Sequence, residues 1–317
     1  MTPIEQESIL TLSLMAAFAD GAKNDSERAE VKRIAESLPH DAVQPAALYQ
    51  RVLLRQVTVV QAAAPLQSPE LRQLAYEMAV CVCDADGTQT DAERTFLSEL
   101  RRELQIEAGK TAAFERSADA LAVEPLEDTS LPPVVAPGSA VDTQVDQMVL
   151  NYAILNGALE LLPESLATMA IVPLQMKMVY RVGKSYGHEL GRGHIKELLA
   201  AAGLGLTSQV LEGYARKLLG GLLDKVGGSL AKGAGKQVAG SAMSFATTWA
   251  LGKLAKQYYA GGRKLSAIEL RQLFGSLTEQ ARSLHSRYAG DIQQKAGSVS
   301  VSQLLPLIRG NNDSHVH

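Results

Sequence analysis

Apolar residues recur in the N-terminal third at steps of three and four, the spacing of one helical face. Val31, Ile34 and Leu38 keep this step, and so do Leu97, Leu100 and Leu104. An apolar run precedes each set, Leu10 to Phe18 and Ala75 to Cys83. Between run and stripe stands the same polar punctuation, Ala19-Asp20-Gly21 and, 66 positions later, Ala85-Asp86-Gly87. Each copy predicts helix, Asp-Gly turn, helix. Further helices are predicted around 46–63 and 68–84, with Pro65 and Pro69 marking a break. Later in the chain Met148 to Leu162 is apolar and helical, and Pro163 ends it. A helix from Ile171 follows, with Pro173 in its first turn. Ser266 and Glu269 form a capping box ahead of an amphipathic stripe of Leu270, Leu273, Phe274, Leu277, Ala281 and Leu284. That stripe closes a core or docks a partner. The fold class expected is all-α.

Composition agrees with helices. Hydrophobic residues make up 46% and aromatics only 5%, with Ala, Leu and Gly abundant, which disfavours a β-sandwich. Two cysteines exclude a disulfide scaffold. Cys81 and Cys83 stand two apart, about 200° around a helix, a poor chelate and a natural pair of small buried hydrophobes. From Leu121 to Ala140 the chain holds four prolines and no helical period. The expected organisation is therefore a helical head at 1–120, a Pro-rich linker at 121–140, a body at 141–310 and a disordered tail at 311–317.

Charge divides the same way. Residues 1–120 carry 12 bases against 19 acids, and 141–317 carry 19 bases against 12 acids. Over 177–264 the bias reaches 14 bases against 4 acids. An acidic head and a basic body call for different partners. The opening MTPIEQES lacks the basic segment of a secretory signal, so a cytoplasmic protein is expected.

The Asp-Gly repeats carry the candidate chemistry. Asp20, Glu27, Asp86 and Glu93 would converge if the two hairpins pack side by side, with Asp25, Asp84 and Asp91 as further oxygens. Gathered carboxylates suit a hard cation, Ca²⁺ or Mg²⁺. Capping is the competing reading, because Thr90 to Glu93 is a capping box and Asn24 to Glu27 approximates one. Capping accounts for Glu27 and Glu93 but not for Asp20 and Asp86, which face the unfavourable end of a helix dipole. Gly21 and Gly87 read as left-handed turn residues. The doubled motif resembles the TerB domain of bacterial tellurite-resistance and stress proteins, over about residues 5–110. The resemblance implies a helical head holding a metal ion through Asp20, Glu27, Asp86 and Glu93.

The body is glycine-rich. Gly183, Gly187 and Gly191 stand at steps of four, and glycines recur at steps of seven through 213, 220 and 227. Gly costs a helix about 1 kcal/mol against Ala, so close helix packing or loops must explain them. The longest uncharged run, Gln237 to Gly252, is 16 residues, short of the roughly 20 a spanning helix needs. Trp249, Lys253, Lys256, Tyr258 and Arg263 form a cationic, aromatic edge that suits either an anionic membrane surface or solvent. The block Pro173 to Tyr180, Gly183 and Tyr186-Gly187 resembles DUF697, a domain of unknown function, over roughly 150–262. That resemblance implies association with the inner membrane and partnership with a GTPase or a membrane complex. No nucleotide loop is present, since Gly235-Lys236 is followed by Gln237.

His188, His194 and His285 are scattered, and no nucleophile motif or metalloprotease motif occurs. No nucleic-acid reader motif accompanies the basic stretch. The function expected is a non-enzymatic bacterial stress-response adaptor with a cation-binding acidic head and a membrane-associating basic body, peripheral at the inner membrane. The alternative is a soluble homo-oligomeric scaffold or GTPase partner with neither property.

Overall fold

The computed structural model describes residues 1–21, 25–37, 43–126, 139–220 and 234–309, with the backbone alone at 25–27, 30, 37, 139, 234–239 and 309. His40, most of the predicted linker, Gly221, Gly227, Gly228 and the tail lie outside the described residues. In chain order the helices are α1 (Pro3–Ala17), α2 (Asp25–Ser37), α3 (Pro45–Leu53), α4 (Val59–Ala63), α5 (Pro69–Cys83), α6 (Asp91–Glu103), α7 (Ala108–Val123), α8 (Ser139–Glu160), α9 (Ser165–Met169), α10 (Ile171–Ser185), α11 (Arg192–Ala201), α12 (Leu206–Leu219), α13 (Ala234–Ala260), α14 (Ala267–Ser298) and α15 (Leu304–Arg309). No strand occurs among the described residues, and the fold is all-α.

The chain forms two compact units. Unit 1 comprises Met1–Val123, Pro163–Met169 and Gly205–Gln237, and unit 2 comprises Glu124–Leu162, Ala170–Leu204 and Val238–His317. The residues expected as one body are thus divided between them. The reason lies in α1 and α5. Helix α1 buries Ile9, Leu10, Leu12, Leu14, Ala16 and Ala17 with Ser8, Thr11 and Ser13, so it is covered on nearly every side. Helix α5 buries every residue from Met78 to Cys83. Helices enclosed all round need neighbours all round. Helix α12 supplies one, packing on α1, α2 and α5 through Val210, Leu211, Tyr214 and Leu218. The Tyr214 hydroxyl donates to the Ser165 carbonyl at 2.9 Å, and the Ser165 hydroxyl donates to Glu77 at 3.1 Å, tying α9 into the same core.

Local signals decide the helix ends. Thr2 with Glu5, Thr58 with Gln61, Thr90 with Glu93 and Ser266 with Glu269 all form capping boxes. The helix predicted at 46–63 is broken after Leu53, where Arg55 takes a positive φ of 54°. The region predicted as linker begins as helix, since α7 runs to Val123 with Leu121 and Ala122 buried.

In unit 2, α10 buries everything from Ile171 to Gly183 and lies on α8. Helix α14 packs on α8, and Leu270, Leu277 and Ala281 of the predicted stripe are buried. Phe245, Ala153, Ala158 and Ile292 form a core cluster on which Trp249 and Tyr288 pack.

Candidate metal centre at the Asp-Gly turns

The second turn is described throughout. Helix α5 ends at Cys83 and one 3-10 turn, Asp84–Asp86, follows. Gly87 then takes φ 88°, the left-handed conformation that glycine adopts without penalty, and its N–H donates to the Asp84 carbonyl at 2.8 Å. The exposed Asp86 carboxylate accepts from the Thr88 N–H at 3.0 Å and the Thr88 hydroxyl at 3.2 Å. Glu93 is buried and accepts from the Thr90 N–H at 2.8 Å and hydroxyl at 2.9 Å, while its own N–H donates to Thr90 at 3.2 Å. Both halves of the predicted capping box are therefore made.

Asp84 differs from these. It is 3% exposed, Gln89 donates to its Oδ1 at 2.6 Å, and its Oδ2 has no hydrogen-bond partner. Burial pushes its carboxyl up to about 7, and the charges of Asp119, Glu93 and Asp86 push the same way, opposed by the Gln89 bond. Asp119 reaches this locality because α7 packs against the 3-10 turn. The motif gave no sign of Asp119, which stands on a helix well past the repeat.

The first turn parallels the second. Gly21 takes φ 64° and donates to the Phe18 carbonyl at 3.2 Å, and Arg28 donates to the Gly21 carbonyl at 3.3 Å. Asp20 is half-buried. The Glu27 side chain lies outside the described residues. Among the described residues no three His, Cys, Asp or Glu stand close enough together to hold a metal ion. The convergence expected for Asp20, Glu27, Asp86 and Glu93 is thus not seen among them. Glu93 instead caps α6, and Asp86 turns to Thr88.

The other expected sites resolve one by one. A Cβ on Gly183 would lie 2.2 Å from Cδ1 of Leu190, in the loop after α10, and 3.3 Å from the Tyr259 ring. Gly187 and Gly191 lie beyond α10, which ends at Ser185. Gly187 is a turn residue at φ 78°, and Gly191 caps α11. Two glycines that the sequence did not single out also pack closely. A Cβ on Gly252 would meet Val149 at 2.5 Å, and one on Gly157 would meet Phe245 at 3.3 Å.

The cationic edge is largely tied down within unit 2. Lys253 donates to Asp146 at 2.8 Å and sits 5.5 Å from the Trp249 ring centre. Lys256 donates to Asp146 at 3.0 Å and to the Asp142 carbonyl at 3.2 Å. Partial burial pushes the Asp146 carboxyl up, but the bonds and charges of the two lysines outweigh it and hold the group below its ordinary value. Trp249 and Tyr258 are half-buried, and Arg263 is exposed and bonded to the Tyr258 side chain. No helix among the described residues is long and apolar enough to cross a membrane. Cys81 and Cys83 are buried free thiols in α5.

No family model matches the chain, and no curated protein or solved structure matches it either.

Proposed function

We propose that the chain is a non-enzymatic bacterial stress-response adaptor whose acidic unit takes up Ca²⁺ or Mg²⁺ at the second Asp-Gly turn. The observation that carries this reading is Asp84, a buried carboxylate with an unpartnered oxygen and three other carboxylates acting on it. Such a group is neutralised by a proton or by a cation. Hard carboxylate oxygens select hard cations, and Asp86, exposed on the same turn, supplies a second ligand by side-chain rotation. Tellurite resistance and stress response enter through the resemblance of the repeats to the TerB domain. Calorimetric titration of the whole chain with Ca²⁺ and Mg²⁺ tests the reading. A saturable heat that Asp84→Asn abolishes is expected, and equal heats from both proteins would sink it.

The second element is peripheral contact of the basic residues with an anionic membrane surface. The charge excess over 177–264 and the exposure of Arg263 and Lys264 support it. The alternative, a soluble oligomeric scaffold or GTPase partner, is favoured by the pairing of Lys253 and Lys256 with Asp146 and Asp142. Sedimentation with anionic and neutral vesicles separates the two, since the scaffold pellets with neither.

A further inference from the structure

Three helices of unit 2 bring uncharged polar groups together inside its core. Asn156 comes from α8, Gln175 from α10 and Thr248 from α13. Their exposures are 0%, 1% and 0%. The Asn156 amide donates to Thr248 Oγ1 at 3.0 Å, and the Gln175 amide donates to the same atom at 3.1 Å. One hydroxyl oxygen thus accepts twice, which is its full capacity. Asn156 Oδ1 and Gln175 Oε1 are left without a hydrogen-bond partner.

Turning the amides over does not remove the deficit. A flipped Asn156 or Gln175 accepts the single Thr248 hydroxyl proton through its oxygen, but its NH₂ then lies buried and unpaired instead. A second flip sets two oxygens against one proton. Every assignment leaves at least two amide ends without a protein partner. Buried polar groups are otherwise nearly always satisfied, by protein or by ordered water.

The polar character continues along the same helices. On α13, Ser241, Ser244 and Thr248 stand at steps of three and four, on one face. Ser244 donates to Glu160 Oε2 at 3.4 Å, and Glu160 lies one turn beyond Asn156 on α8. Ser241 lies 3.3 Å from His285 Nε2. Gly240 lets α13 come close to Glu160, since a Cβ there would stand 3.0 Å from Glu160 Cγ. Glu160 and Ser241 are buried, at 2% and 1% exposure.

We infer that this seam is a binding site for a small species that offers a proton or positive charge to the Asn156 and Gln175 oxygens, namely water or a monovalent cation such as ammonium or potassium. Neutral amide and hydroxyl oxygens suit a weakly charged guest, and the Glu160 carboxylate supplies a balancing charge for the cation. The site is independent of the Asp-Gly turns.

The test uses the full chain and a near-isosteric triple variant, Asn156→Leu, Gln175→Met, Thr248→Val. If the amides are bare, removing them relieves an unmet desolvation cost, and the variant melts at the same temperature or higher. If a guest is held, the variant melts several degrees lower and loses the guest's signature. For a cation, that signature is a higher melting temperature of the unsubstituted chain in ammonium or potassium chloride than in N-methylglucamine chloride at equal ionic strength. For water, it is cross-relaxation between water and the Asn156 and Gln175 side-chain NH₂ groups, with no dependence on the cation. A triple variant that melts no lower overturns the inference. So does an unsubstituted chain that shows neither signature.

Discussion

Asp84 in unit 1 and Asp146 in unit 2 are the same side chain in opposite circumstances. Asp84 is buried, has one oxygen without a hydrogen bond, and is pushed up to about 7 by burial and by neighbouring carboxylates. Asp146 is partly exposed, holds two lysine ammonium groups at 2.8 and 3.0 Å, and stays ionised below its ordinary value. Charge counted along the sequence misses this difference. The acid-rich stretch contains a carboxyl with no cation bonded to its inner oxygen, and the base-rich stretch contains lysines already matched by acids of α8. Excess charge over a stretch of residues is not the same quantity as charge free to meet a partner.

The largest effect expected from this contrast is at Asp84. Its folded carboxyl binds a proton more tightly than the unfolded one, whose ordinary value is 3.8. Stability from this group is full below pH 3.8 and is lost as pH rises through about 7. The loss is a few kcal/mol, since each pKa unit is worth about 1.4 kcal/mol. Asp84→Asn, which resembles the protonated acid, is expected to stabilise the chain at pH 8 by about 2–4 kcal/mol without added cation and by almost nothing at pH 4. Urea unfolding at both values checks it, and an equal effect at both would remove burial as the cause.

The next effect separates glycines that only composition had grouped together. At Gly252 a Cβ would press on Val149 at 2.5 Å, while at Gly275, inside α14, nothing lies within 4 Å. Gly252→Ala is expected to cost about 1–3 kcal/mol through overpacking. Gly275→Ala is expected to gain about 0.5–1 kcal/mol by helix propensity. Thermal melts of the two variants should move in opposite directions.

These glycines also show how much the sequence made legible. Caps and turn glycines act over three or four residues, and Thr90, Glu93, Ser266, Gly21 and Gly87 do what their spacing implied. Gly187 and Gly191 failed as packing residues because α10 stops at Ser185, an end decided by Gly187 itself at φ 78°. The division into units was less legible. Nothing in residues 205–220 announces that their apolar face completes the core around α1 and α5, because complementarity between distant helices leaves no local pattern. Asp119 was invisible for the same reason, being joined to Asp84 only through the packing of α7.

A smaller effect sets the two units apart in pH. His285 in unit 2 is buried beside Phe245, and burial holds its imidazole below the ordinary 6.5. The folded state therefore resists protonation, so this contribution is present above pH 6.5 and is lost as pH falls, the reverse of Asp84. The slope is at most one proton, about 1.4 kcal/mol per pH unit. Comparing the unsubstituted chain with His285→Phe between pH 5 and 8 isolates it, and identical profiles would show that the ring is solvated when charged.

The smallest effect concerns the lysines of unit 2. Lys256 bonds Asp146 at 3.0 Å, but the acid's side chain is 42% exposed and shares a second lysine. Exposed pairs of this kind are worth about 0.2–1 kcal/mol, and salt screens them. Lys256→Met is therefore expected to lower stability by less than about 1 kcal/mol in dilute buffer and by nothing measurable in molar salt. The same variant sharpens the opening contrast. If Lys256 is internally matched, Lys256→Met leaves sedimentation with anionic vesicles unchanged, whereas losing Arg263 and Lys264, both exposed, reduces any that occurs. A large loss of vesicle binding on Lys256→Met would mean that the lysine leaves Asp146 for the lipid, and the pairing seen between α8 and α13 would then be one of two states.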